Sequence, residues 1–277
     1  MTSPFPERDP AIPSLFIDEQ GDEGGVPAVL LHSSGLSGRQ FRRLAGTLAG
    51  SGLRVLSPDL TGHGRSPALG ESETFSFARD VAWLVQLLAQ RGPAHLIGHS
   101  YGAFIALQAA RQAPASVRSL TLFEPVAFGV LDPALHPEAR RELESVDVPW
   151  GQSGEGREAW LRAFVEYWGG AGAWDALREE ARADFRRVGW AVREGVRSLA
   201  VDRTPASAYG EVRAPVTLLT GENSPRSARE VVAVLAAALP GATAVTIPGA
   251  GHMAPLTHAD AVNAAIAAAL ERARARP

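Results

Sequence analysis

Short, nearly unbroken apolar runs alternate along the chain with longer stretches whose apolar positions recur every three or four residues. The runs are AVLLH (28–32), LRVLSPD (53–59), AHLIG (94–98), SLTLFEP (119–125), PVTLLTG (215–221) and TAVTIPG (243–249). Their length, their β-branched content and the turn-forming residues that close them predict buried strands. Helical spacing covers 39–51, 76–91, 102–113, 227–240 and 258–275. Strands that are apolar on both faces and alternate with helices predict an α/β fold, a mostly parallel central sheet with helices on both faces.

The alternation stops between about 128 and 210, where only helical or loop-like patterns occur, over 132–146, 156–170 and 174–200, the first opening on Asp132 as a helix cap. This predicts a helical insertion, 129–207, into a core made of 1–128 and 208–277. Five of the six tryptophans fall there. Trp160, Phe164 and Trp168, four residues apart, share one helix face, which either packs on the core or lines a pocket. The charges Arg178, Glu179, Glu180, Arg182, Asp184, Arg186 and Arg187 read as a solvated face with local ion pairs.

Composition narrows the chemistry. The 277 residues contain no cysteine, which excludes disulfides, thiolate catalysis and Cys-ligated metals. Net charge is −3, with every basic residue an arginine. That balance argues against nucleic acid or an anionic membrane as partner and leaves a small-molecule substrate, with a homodimer open. No apolar run approaches the roughly 18 residues of a membrane span. The N-terminus, MTSPFPERDP, lacks a basic segment followed by an apolar one, so the expected location is cytoplasmic.

The candidate chemistry lies in GHSYG (98–102), where the third strand runs into a helix. Gly98 and Gly102 flank a turn too tight for side chains, which holds Ser100 in a strained conformation with its hydroxyl exposed. The helix that begins there aims amides and the positive end of its dipole at the same point. A serine needs a base. Of seven histidines, His252 stands in a glycine-rich loop after the last strand, at the carboxyl edge of the sheet that also carries Ser100. His99 adjoins Ser100 and points elsewhere. The HLIGHS pair does not by itself define a metal site, and no metal or cofactor is expected.

HSSG (32–35), DLTGHGRS (59–66), GHSYG (98–102) and GAGH (249–252), in that order, resemble the α/β-hydrolase family over nearly the whole chain from about residue 15. The resemblance implies that the insertion is a cap and that Ser100 and His252 are nucleophile and base. It places backbone donors for an oxyanion at Tyr101 and, in HSSG, at Ser34, with Ser33 adding a hydroxyl or filling space. In DLTGHGRS, Asp59, Gly62 and Gly64 read as a structural turn, with Arg65 pairing to Asp59. The family's acid usually follows PVTLLTG, yet Ser224 occupies that place in GENSP. Two carboxylates remain, Glu222 in that loop and Glu124 at the end of SLTLFEP, where some family members carry their acid. Glu124 is favoured, because a lone carboxylate closing an apolar strand is costly unless it is paired.

The expected activity is hydrolysis of small to medium, largely apolar carboxylic esters through an acyl-enzyme. Lactonase, thioesterase, C–C hydrolase or perhydrolase chemistry on the same residues is the alternative, and a non-catalytic ligand-binding module on this scaffold is another. No arginine is clearly placed to bind a phosphate or carboxylate. Arg39, which closely follows HSSG, is the one candidate.

Overall fold

The computed structural model describes residues 14–144, 149–151 and 153–275. Seven strands, β1 (Ile17–Gln20), β2 (Val26–Leu31), β3 (Leu53–Pro58), β4 (Ala94–His99), β5 (Val117–Phe123), β6 (Val216–Gly221) and β7 (Thr243–Ile247), form one sheet in the order β1-β3-β2-β4-β5-β6-β7. All neighbours are parallel except β1, which pairs antiparallel with β3. β1 is the strand that the hydrophobic pattern misses. It has four residues, IDEQ, at the sheet edge, none of them fully buried, and so lacks an apolar run.

The helices of the core are α1 (Arg42–Gly50), α2 (Ala78–Arg91) and α3 (Tyr101–Gln112). The inserted helices are α4 (Pro137–Glu144), α5 (Gly154–Gly169), α6 (Ala173–Ala176) and α7 (Glu179–Ala200), and α8 (Arg226–Ala238), α9 (Ala254–Thr257) and α10 (Ala259–Arg274) return to the core. The unbroken apolar runs have a direct explanation in alternation. Along β2, Ala28 and Leu30 join the cluster under α1 and α10, whereas Val29 and Leu31 join the larger cluster that includes α2, α3 and α8. Each face needs its own apolar set because both are covered.

Between β5 and β6 the described residues contain helices and no strand, and α4–α7 form a cap. It has a small core of its own, built on Trp160, Leu161, Trp174, Phe185, Val188 and Val192. The continuous helical pattern over 174–200 divides in two, because Leu177 is extended between α6 and α7. Asp132 caps a turn, accepting from the Ala134 amide at 2.7 Å, rather than α4, which starts at Pro137. Positions 145 and 146 of the first inserted segment and the N-terminal decapeptide lie outside the described residues. The cap is tied to the core on two sides. Glu194 and Ser198 of α7 accept from the amides of Phe75 and Phe77, while Glu142 of α4 accepts from Arg226 and Ser227 at the start of α8. Among the described residues, no helix is long and apolar enough to cross a membrane.

Candidate active site

Parallel pairing carries the ends of β4, β5, β6 and β7 to one edge of the sheet. Ser100 follows β4, Glu124 follows β5, and His252 stands in the loop between β7 and α9. Among the described residues, Ser100 and Glu124 alone combine a side chain with positive φ, at 54° and 44°. Such conformations cost on the order of 1–3 kcal/mol and persist only where the surroundings enforce them. The turn at Ser100 needs both glycines. A Cβ on Gly98 would stand 2.5 Å from Ala103 Cα, and one on Gly102 2.2 Å from the Leu31 carbonyl oxygen. The Ser100 amide donates to the Phe123 carbonyl at 2.9 Å, and the Glu124 amide to that of Leu219 at 3.0 Å.

Glu124 Oε2 lies 2.6 Å from His252 Nδ1. Its other oxygen accepts from Thr220 Oγ1 and from the Gly221 amide, both at 2.7 Å. Both partners are buried, His252 at 1% exposure and Glu124 at 0%. Burial pushes the Glu124 carboxyl up, but the bond and charge of His252, with the Gly221 amide, outweigh it and hold it below the usual range. An ionised Glu124 fixes the proton on Nδ1 and leaves Nε2 as an acceptor. Glu222 instead accepts from the Gly249 amide at 2.8 Å and does not meet the imidazole. Ser224, in the usual place of the acid, is buried beside Gly221, and its side chain helps to lower the Glu124 carboxyl.

The HSSG loop is braced from below by neutral imidazoles. His32 Nδ1 donates to the Ser33 carbonyl at 2.8 Å, and its Nε2 accepts from the Leu60 amide at 2.9 Å. His63 Nδ1 donates to the Thr61 carbonyl at 2.9 Å, and its Nε2 accepts from the Gly35 amide at 3.1 Å. Burial, with the neighbouring His63, lowers His32 to about 3, and burial lowers His63 to about 4. Asp59 accepts from the Gly38 and Arg65 amides, each at 2.8 Å, so DLTGHGRS is a structural turn that anchors HSSG. Asp80, which no motif flagged, ties Thr61 Oγ1 at 2.6 Å to the Tyr101 hydroxyl at 2.9 Å.

Gln40 is a second residue without a sequence signal. Its Oε1 accepts from the Ser33 amide at 3.0 Å, and its Nε2 donates to His99 Nδ1 at 2.9 Å. His99 Nε2 in turn donates to the His252 carbonyl at 3.0 Å. Burial, with the neighbouring His252, holds His99 well below its ordinary value, so this bridge runs through a neutral ring. The Ser33 hydroxyl turns to the Ser34 carbonyl, at 3.4 Å. The Ser34 and Tyr101 amides have no protein acceptor among the described residues.

Ser34, Ser100 and Tyr101 line a cavity of about 460 Å³ under the cap. Its walls are mostly apolar and include Trp160, Phe164 and Trp168, which settles the two readings of that helix face: α5 presents these rings to the cavity while Trp160 also joins the core of the cap. Arg39 is exposed and does not line it. Arg140 and Arg203 do, together with Glu144 and Asp202, and the pattern of the sequence had not marked them.

Residues 28–265 match the model of the alpha/beta hydrolase family, and the chain belongs to that family. It is an α/β-hydrolase enzyme with esterase-like homologues. It is 31% identical over 265 residues to the pimeloyl-[acyl-carrier protein] methyl ester esterase of Chromobacterium violaceum, covering 93% of this chain and 98% of that one. Its fold is similar to that of a thermophilic esterase from Thermogutta terrifontis, with TM-score 0.70 and 23% identity over 94% of this chain and 93% of that one. The enol-lactonase of Burkholderia xenovorans superposes with TM-score 0.71 at 19% identity, covering 93% and 96%.

Proposed function

We propose that the protein hydrolyses carboxylic esters of small to medium size through an acyl-enzyme. The observation that carries this reading is the 2.6 Å pairing of Glu124 with His252 Nδ1 at the sheet edge where Ser100, itself buried, lines the cavity. Ser100 Oγ attacks the ester carbonyl as His252 Nε2 takes its proton, and the carbonyl π pair moves onto oxygen. The amides of Ser34 and Tyr101 receive that oxyanion. Collapse expels the alcohol, protonated by His252, and water activated by the same imidazole then releases the acid. The mostly apolar cavity suits an apolar acyl or alcohol group, and the esterase relative supports ester chemistry over lactone opening.

Labelling with a fluorophosphonate tests the reading, followed by intact mass and peptide mapping. The expected result is one adduct, on Ser100, abolished by Ser100→Ala, with turnover of 4-nitrophenyl esters lost in the same variant. A folded wild-type protein that neither labels nor turns over any activated ester would instead be a ligand-binding module on this scaffold.

A further inference from the structure

Trp168 belongs to the cap, yet its ring centroid lies 4.0 Å from that of His252, with the planes inclined by 31°. This is the shortest centroid separation among the described aromatic contacts, and it joins the inserted cap to the core loop that holds the base. The other groups around His252 are few. Glu124 meets the ring edge at Nδ1, and the buried, neutral His99 lies with its centroid 4.9 Å away, inclined by 45°. Arg140 and Arg203 line the same cavity as Trp168. Trp168 is itself held in place. Phe128 stacks on it at 6.4 Å and 12°, and Tyr167 packs edge-on at 4.6 Å. The Tyr167 hydroxyl is fixed by Ser227 Oγ at 2.6 Å, at the start of α8.

An indole face is the best aromatic partner of a cation, and the attraction operates within about 6 Å of the centroid. We propose that Trp168 is a positioning residue for His252, holding the imidazole plane and stabilising the imidazolium that forms while Nε2 carries the Ser100 proton. The cap thus contributes to the chemical step and not only to the walls of the cavity. This inference rests on the reading of His252 as general base.

Trp168 also lines the cavity, so the test must separate a wall from a partner. The full-length Trp168→Leu and Trp168→Phe variants are compared with wild type on 4-nitrophenyl acetate and 4-nitrophenyl hexanoate, with thermal midpoints confirming the fold. Trp168→Leu is expected to lower kcat on both esters by about 3- to 30-fold. Its fluorophosphonate labelling rate should fall in parallel, with KM for the acetate changed much less. Trp168→Phe, which keeps a ring face, should recover most of the loss. A rise in hexanoate KM alone, with acetate kcat intact, would make Trp168 a wall and overturn the proposal, as would a Trp168→Phe variant no more active than Trp168→Leu. Failure of the hydrolase reading shows separately, as turnover that survives Ser100→Ala.

Discussion

Glu124 is held at φ 44° with its amide bonded to Leu219 and its carboxylate shared among His252, Thr220 and Gly221. Nothing about a surface carboxylate would require that arrangement. The strain is sustained because every polar atom of the side chain has a partner in a place where an unpaired charge is prohibitive. Glu124→Gln removes the negative charge that fixes the Nδ1 tautomer while changing little in shape. It should lower kcat by about 10³–10⁴-fold. Glu222→Gln, at an exposed carboxylate that accepts from the Gly249 amide, should stay within about 3-fold of wild type on the same ester. Steady-state kinetics of both variants decide the assignment, and a larger loss from the second would reverse it. Part of this was legible in the chain. A carboxylate closing an apolar run before Pro125, with Ser224 in the usual acid position, already favours Glu124 over Glu222. The Thr220 and Gly221 partners were not legible, because they depend on the register between β5 and β6.

At the scale of elements, the sharpest constraint is the junction of β4 with α3. Gly102 packs against the backbone of β2, where the Leu31 carbonyl leaves no room for a Cβ. Neither group is the flexible end of a side chain, so the helix itself would have to move. Gly102→Ala should therefore destabilise the protein by on the order of 4 kcal/mol, lowering its thermal midpoint by about 10 °C. Gly46→Ala is the matched comparison. That glycine is exposed within α1 with nothing within 4 Å of its would-be Cβ, and the exchange should be neutral or stabilising by up to about 1 kcal/mol. Equal midpoints for the two variants would remove the packing argument. The strongly periodic elements could be read from the chain because each carries its own burial pattern. β1 could not, being a polar edge strand specified by its pairing to β3. Gln40 and Asp80 escaped for a related reason. A polar residue that bridges loops from different parts of the chain leaves no period in the sequence.

Across the whole molecule, the loops of the site rest on buried imidazoles as well as on the Arg65–Asp59 ion pair. His32, His63 and His99 are each fully lodged in hydrogen bonds that need the neutral ring, and burial lowers all three. In the unfolded chain they titrate near 6.5. Their contribution to stability is therefore fully present above that pH and is lost as pH falls toward the folded values, about 3 for His32 and about 4 for His63. In that window the unfolded state binds more protons, so each histidine lowers stability by about 1.4 kcal/mol per pH unit. Glu124, lowered in the folded state, acts in the same sense at still lower pH, through its unfolded value. Asp80, raised by burial, opposes them by holding its proton longer in the folded state. Burial also lowers His95, bonded through Nδ1 to Ser119, to about 4, and four lowered histidines against one buried aspartate make acid destabilisation the net outcome. The urea midpoint is expected to fall steeply between pH 6.5 and 4.5, with uptake of about three to four protons on unfolding, roughly the number of lowered rings. A midpoint that stayed level from pH 7 to 5 would mean that these imidazoles take up protons in the folded protein over the same range as in the unfolded chain. In that case the bonds that the Leu60 and Gly35 amides donate to them would not exist, and the HSSG loop would have to be held in another way.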